Sequence, residues 1–345
     1  MRLRLIAVCC ALMLTVVPTA AEDPVRTESP QRISLQRTSL TQLPDLAGLG
    51  YGDSLCDSDG NLYYRVYDES SGDATPYRRF TPADRKLLTF VLSNFGEKKF
   101  EGFTSGFVDA SSQINVLAWS REGWYVVTFD SKGAVKTATK IAEKLQPAQL
   151  GVFPKGEILI SGLKPAPTEE NRAATKPFTG IFDSAGKLVR DFGLADDEAL
   201  ATYANRGDAR YSNPVYPGTN RAVSFGRIFP GAREDLLVTR FSNPVLAYSV
   251  VASGDVTGRL EIPASDMEFQ PIDVQANGSR VAVLFESASK RESEIVVGDV
   301  QTGEIVQRYV LPNRQVAFLC YQTGPDRFSF MATKDGKRAV VQFAP

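Results

Sequence analysis

The sequence predicts an all-β protein in which six four-stranded units stand around a common axis, and three observations predict it. A turn followed by an apolar strand, Cys56-Asp-Ser-Asp-Gly-Asn-Leu-Tyr-Tyr-Arg65, has partial echoes in Val152-Phe-Pro-Lys-Gly-Glu-Ile-Leu-Ile160 and Val274-Gln-Ala-Asn-Gly-Ser-Arg-Val-Ala-Val283. A second turn reads Phe129-Asp-Ser-Lys-Gly133 and Phe182-Asp-Ser-Ala-Gly186, with Asp299-Val-Gln-Thr-Gly303 as a looser copy. Both turns recur inside a unit of roughly 40–50 residues built from four short strands, the spacing of blades in a β-propeller.

The elements follow in chain order. Met1-Arg-Leu-Arg4 is basic, Leu5 to Val17 is apolar, and Pro18-Thr-Ala-Ala21 supplies small residues ahead of Glu22. Residues 1–21 therefore read as a cleaved export signal, too short to span a bilayer. Residues 22–31 are expected as a flexible lead-in and residues 32–345 as one six-bladed propeller. Strands of blade one are expected at Gly52–Cys56, Leu62–Tyr67, Tyr77–Phe80 and Lys86–Leu92, and of blade two at Thr104–Val108, Ile114–Trp119, Trp124–Phe129 and Val135–Ile141. Blade three takes Gln149–Phe153, Glu157–Ser161, Phe178–Phe182 and Leu188–Phe192, and blade four Ala222–Ile228, Asp235–Phe241, Val245–Val251 and Gly258–Ile262. Blade five takes Pro271–Val274, Arg280–Glu286, Glu294–Asp299 and Ile305–Leu311. These runs are rich in β-branched and aromatic residues and are bounded by Gly, Asn, Asp and Pro. Blade six offers only Val316–Cys320, Arg327–Met331 and Lys337–Phe343. Its fourth strand is expected from the N-terminal segment Arg32–Leu40, which closes the ring and protects sheet edges.

Composition excludes several functions. The chain has no His, so a Ser-His-Asp triad, a Cys-His pair and a His-ligated metal are unavailable. Two of the 39 basic residues and none of the 40 acidic ones fall in residues 1–21, so the mature chain carries a net charge of −3. No basic stripe or aromatic platform points to nucleic acid. No segment after residue 21 is long and apolar enough for a membrane helix. A monomer in the periplasm or secreted medium is the expectation.

Asp57, Asp59, Asn61 and Asp68 invite a calcium reading, but Gly60 is misplaced for such a loop, and Asp-Gly and Gly-Asn are ordinary hairpin chemistry. The turn reading is preferred, and no metal ligand or catalytic residue is assigned. Cys56 and Cys320 end inner strands of blades one and six. A disulfide closing a very long loop and a pair of buried thiols are both compatible with that placement, and the distance between strands decides. The long connections Asp68–Pro76, Gly162–Pro177, Gly193–Thr219 and Ser287–Ser293 are expected on one face, where loops on a rigid scaffold commonly carry binding. Within them Arg206, Arg210, Tyr211 and Tyr216 are the candidate binding residues, since exposed Arg and Tyr anchor partners and paired Arg clamps carboxylates or phosphates. Ala199–Asn205 is read as a short helix, Trp119 and Trp124 as packing between blades, Asn277-Gly-Ser279 as a turn, and Lys290-Arg-Glu292 as a solvated loop tip.

The run Asp57-Ser-Asp-Gly-Asn-Leu-Tyr63 resembles the first hairpin of NHL-type and gluconolactonase-like six-bladed propellers, and the turns at 129–133 and 182–186 resemble their outer hairpins. The resemblance implies the architecture over residues 32–345. Gluconolactonase-like enzymes hold calcium in the central channel with acidic and amide residues, and no residue here matches that set one by one. Quinoprotein sugar dehydrogenases and virginiamycin-type lyases rely on His, which this chain lacks. Two functions remain: a non-enzymatic exported propeller binding a protein or polymer through its loop-rich face, or a His-free calcium-dependent lactonase or hydrolase at the central channel. Only the second needs a cofactor.

Overall fold

The computed structural model describes residues 30–43, 54–65, 76–92, 95–165, 167, 175–191, 226–240, 244–287, 289–312 and 316–345. The chain begins with two short strands, β1 (Arg32–Ser34) and β2 (Gln36–Gln42). Blade one is β3 (Leu55–Cys56), β4 (Leu62–Arg65), β5 (Tyr77–Thr81) and β6 (Lys86–Phe90). Blade two is β7 (Gly102–Val108), β8 (Ile114–Ser120), β9 (Gly123–Phe129) and β10 (Val135–Lys140). Blade three is β11 (Gln146–Val152), β12 (Ile158–Pro165), β13 (Thr175–Phe182) and β14 (Leu188–Asp191). Blade four is β15 (Ile228–Pro230), β16 (Asp235–Arg240), β17 (Val245–Val251) and β18 (Val256–Ile262). Blade five is β19 (Phe269–Asn277), β20 (Arg280–Ser287), β21 (Glu292–Asp299) and β22 (Glu304–Leu311). Blade six is β23 (Val316–Gln322), β24 (Arg327–Lys334) and β25 (Lys337–Ala344), with β2 as its outermost strand. Within each blade the strands are named A to D from the axis outward. Each A strand lies against the A strand of the next blade, and β23 lies against β3, so the six sheets form a closed ring. The fold is a six-bladed β-propeller.

Burial explains why the strands differ in sequence. The B and C strands sit between neighbouring blades and are covered on both faces. β16 is buried at all six positions, and β20 is buried at all but its first. Such strands read as continuous apolar runs, whereas the rim strands β10 and β18 are largely exposed, the contrast expected of sheets covered on two faces and on one. Apolar layers fill the spaces between blades. One joins blades two, three and four through Leu117, Ile160 and Val238, and another joins blades six and one through Leu319, Val340, Leu62 and Phe80.

The recurrent turns have a double cause. Asp130 Oδ1 accepts the backbone N–H groups of Lys132 (2.8 Å) and Ala134 (2.9 Å). Asp183 repeats this with Ala185 (3.0 Å) and Lys187 (2.9 Å). Such side-chain caps mimic a backbone turn. The Gly that closes each turn has a positive φ, +86° at Gly133 and +81° at Gly186. It also abuts the D strand of the preceding blade: a Cβ would lie 2.3 Å from Thr89 O at Gly133 and 1.9 Å from Lys140 O at Gly186. The repeat thus encodes both a hairpin and the contact that stacks one blade on the next.

Ring closure differs in detail from a single strand over 32–40. β2 pairs antiparallel with β25, Gln36 opposite Ala344 and Gln42 opposite Ala339. β1 pairs parallel with β22 of blade five, Arg32 opposite Arg308 and Ser34 opposite Val310. Leu35 separates the two strands, 1% exposed, among Tyr309 and Leu311 of blade five and Phe330 and Phe343 of blade six. Its N–H donates to Val310 O at 3.0 Å. Burying that one apolar side chain between two blades bends the segment and makes it clasp both.

Three further expectations need correction. Of the expected A strand Ala222–Ile228 of blade four, residues 222–225 lie outside the described residues; the described strand starts only after Gly226 and Arg227 and runs Ile228–Pro230, with Ile228 and Phe229 reaching the apolar layers. The connection in blade five is a short hairpin, with β20 ending at Ser287 and β21 starting at Glu292. Lys290 at its tip is not simply solvated: it pairs with Asp266 and Glu268 and lies 5.6 Å over the Phe269 ring.

Candidate functional site

The axis is where a propeller concentrates its A strands, and here a cation crosses it. Arg227 precedes β15 and is fixed by Thr239: the Arg227 N–H donates to Thr239 Oγ1 (2.7 Å), and the Thr239 hydroxyl donates to Arg227 O (2.9 Å). From blade four its guanidinium reaches blade one on the far side of the ring, where Nη1 donates to Ser54 O at 2.9 Å. Nη2 pairs with Asp273 Oδ1 of blade five at 3.2 Å. Gln275 Nε2 donates to Phe318 O at 2.8 Å, joining blades five and six within the same region. Three blades are therefore tied through one side chain, and an ion pair sits where a channel ligand would have to pass.

Two other arginines are buried at the last position of a B strand. Arg65 Nη1 donates to Phe103 O (3.3 Å), and its guanidinium lies 4.3 Å over the Phe103 ring, joining blades one and two. Arg240 Nη2 donates to Thr179 Oγ1 at 2.8 Å, joining blades four and three. In sequence Arg65 and Arg240 look like ordinary strand-end charges, each directly continuing an apolar strand, and Arg227 lies inside the run expected as a strand over Ala222–Ile228.

On the opposite face, where the A–B and C–D turns emerge, Asp326 accepts the hydroxyls of Tyr309 and Tyr321 (2.9 Å for Tyr321) and lies 3.5 Å from Arg280. Burial, reinforced by the Asp326 charge, pushes both phenols well above their ordinary range. Burial also raises Tyr63, with the nearby Asp57 carboxylate adding to it. These groups stay protonated and act as donors holding blades together.

The same face carries a cavity of about 390 Å³ walled by blades two, three and four. Lys136 comes from the rim strand of blade two, Arg233 from the A–B turn of blade four, and Asn115, Thr128, Asp109 and Asp235 also line the cavity. Asn115 is 2% exposed, and its Oδ1 accepts the Thr128 hydroxyl at 2.7 Å.

The residues singled out from sequence fare differently. Arg206, Arg210, Tyr211, Tyr216 and Asp68, and the segment Ala199–Asn205, lie outside the described residues, as do residues 1–21. Cys56 and Cys320 form a disulfide with a Cα–Cα distance of 5.4 Å; adjacent A strands converge enough at the axis to meet the geometric requirement. Asp57 acts as a turn cap, taking the N–H groups of Asp59 (3.1 Å) and Asn61 (2.9 Å), the Asn61 amide (2.8 Å) and the Tyr63 hydroxyl (3.2 Å). Trp119 and Trp124 meet edge to face at 5.6 Å, with Trp124 packed against the layer joining blades two and three. Asn277 stands at a turn and donates to Tyr321 O at 3.4 Å. Among the described residues, no three acidic or Cys side chains gather as a metal site, and no helix is long and apolar enough to cross a membrane.

No family model matches the sequence, and no curated protein matches it. Solved structures similar to the chain include a catalytically inactive virginiamycin B lyase from Staphylococcus aureus with quinupristin, 14% identical with a TM-score of 0.45, over 90% of this chain and 99% of that chain. A chain of a nidogen/laminin complex is 10% identical with a TM-score of 0.41, over 74% of this chain and 78% of that chain. The Dos1 propeller is 10% identical with a TM-score of 0.40, over 85% of this chain and 67% of that chain. At these identities and TM-scores none carries an argument about what this chain does.

Proposed function

We propose that the protein is an exported, non-enzymatic propeller that binds a protein or polymer partner through the face where the B–C and D–A connections emerge. The observation that supports this most is the Arg227 brace across the axis. The guanidinium occupies the axis and engages Asp273, so an acidic oxygen that a calcium ion would need there is already paired. What remains for recognition is the periphery. The longest chain interval between successive described strands, 192–227, is a D–A connection, and the next longest, 43–54, 66–76 and 91–101, are D–A or B–C connections of the same face by the strand topology. Interval 192–227 includes Arg206, Arg210, Tyr211 and Tyr216, residue types that anchor interfaces.

The test places a photo-crosslinking residue at Tyr211 or Tyr216, and as a control at Lys132 in a turn on the opposite face, in the protein expressed by its native host. One discrete adduct from positions 211 and 216, weakened by R206A/R210A and absent from position 132, is the expected result. No adduct, or equal adducts from both faces, overturns the reading. The exported protein is expected to begin at Glu22, read by mass spectrometry. Calcium is expected to leave the melting temperature unchanged; a clear rise shifts the balance to a calcium-dependent channel enzyme.

A further inference from the structure

The cavity between blades two, three and four is on the face opposite the proposed partner surface, so it stands independently of that reading. Its volume of about 390 Å³ lies within the range of small-molecule sites, roughly 300–1,000 Å³. The polar groups around it are unequally engaged. Asp109 Oδ1 is occupied by the N–H groups of Ser111 and Gln113, both at 2.9 Å. Asp235 Oδ1 takes the N–H of Arg233 (3.0 Å), and its Oδ2 takes the Ser249 hydroxyl (2.5 Å). Asp235 is thus committed at both oxygens, and Asp109 at Oδ1, to the fold of their own blades. The two cations of the wall are not: among the described residues, neither the Lys136 ammonium nor the Arg233 guanidinium has a carboxylate within ion-pair distance. Lys155 beside them shows the contrast, since it pairs with Glu234 at 2.8 Å.

Asn115 adds an oriented donor. With its Oδ1 held by Thr128, its Nδ2 points one proton at Gln113 O, 3.4 Å away, and has one more to give. The wall therefore combines cations from blades two and four, without an ion-pair partner among the described residues, with a buried amide that has a proton to give. Pro154 and Pro230 supply apolar surface between them. An anionic group bound by Lys136 and Arg233, attached to a ring bearing hydroxyls for Asn115 and Thr128 and C–H faces for the prolines, complements these groups.

We propose that this cavity binds an acidic saccharide, about one or two sugar rings carrying a carboxylate or a phosphate, with the anion between Lys136 and Arg233 and the ring hydroxyls on Asn115 and Thr128. Isothermal titration of the full mature protein with glucuronate, glucose 6-phosphate, glucose and inorganic phosphate tests it. At least one of the first two is expected to bind at least tenfold more tightly than glucose and than inorganic phosphate. Whichever of the pair binds more tightly identifies the source of the anion. The exposed-side-chain variants K136A and R233A, combined, are expected to abolish that preference while leaving the melting temperature within about a degree of the parent. The proposal is overturned if glucose binds as well as both acidic sugars, if inorganic phosphate binds as well as glucose 6-phosphate and glucuronate does not bind, if no compound binds, or if the double variant keeps the preference.

Discussion

Replacing Gly186 by Ala tests the claim that the turn glycine of one blade seats that blade on its neighbour. The backbone at Gly186 has φ +81°, and a non-Gly residue in that region is disfavoured by about 1–2 kcal/mol. The added Cβ would also stand 1.9 Å from Lys140 O, a backbone atom that cannot swing away as a side-chain tip can. Overpacking of this kind costs about 1–3 kcal/mol. The separation it forces also endangers the hydrogen bond from Ala142 N to Gly186 O, now 3.0 Å, a contact between blades two and three with a net value of about 1 kcal/mol. The Ala side chain restricts the unfolded chain and returns about 0.4–1 kcal/mol, which leaves a net loss of roughly 2–5 kcal/mol. Gly336 is the control: its φ is +73°, but nothing lies within 4 Å of its Cβ position, so G336A carries the backbone strain alone. Thermal and guanidinium unfolding of the two variants, under identical oxidising conditions, gives the comparison. G186A should be at least about 1.5 kcal/mol less stable than G336A, the difference being the overpacking and hydrogen-bond contributions. Equal losses would show that the turn needs its glycine only for backbone conformation, and the stacking argument would fail.

Three other perturbations follow from the same contacts. The Cys56–Cys320 bond spans 264 residues, for which the chain-entropy relation sets an upper bound of roughly 5–6 kcal/mol; C56A/C320A should unfold at markedly lower denaturant, and a non-reduced peptide map should show the linked pair. L35A removes the side chain that clasps blades five and six and should lose about 2–5 kcal/mol, whereas the exposed neighbour I33A should lose far less. Tyr64 is pushed up to about 12 by burial, against the opposing charge of Arg78, and burial raises Tyr63, Tyr309 and Tyr321 as well. A phenol with a raised folded-state pKa holds its proton more tightly when folded, so this stability is complete below about pH 10 and is lost as pH climbs beyond it, by about 1.4 kcal/mol per pH unit for each group. Because Tyr64 Oη has no hydrogen-bond partner among the described residues, Y64F should match the parent at pH 7 and lose stability less steeply between pH 10 and 12; superimposable alkaline curves would refute this.

Much of the fold was legible because its signals are local. The apolar runs at Ile114–Trp119 and Arg280–Glu286 are strands for the same reason they look like strands: β-branched and aromatic residues between turn formers. The Asp-Ser-x-Gly turns announce their own capping and positive φ. The A strand of blade four runs on to Pro230, past the expected end at Ile228, because the burial of Ile228 and Phe229 depends on neighbouring blades. The cavity was not foreseen at all. Lys136, Asn115 and Arg233 are separated in sequence by other elements and carry no shared motif.

The strands, their turns, the count of blades and the use of the N-terminal segment to complete the last one are all written in the chain. Those follow from side-chain shape, turn chemistry and a repeat, each of which acts within a few residues. Only the tertiary structure decided that the closing segment splits around Leu35, that Cys56 and Cys320 meet, and that Arg227 reaches from blade four to Ser54 in blade one. Each of these depends on how closely the inner strands converge once the ring is shut, a distance set by the packing of all six blades together and by no single stretch of chain.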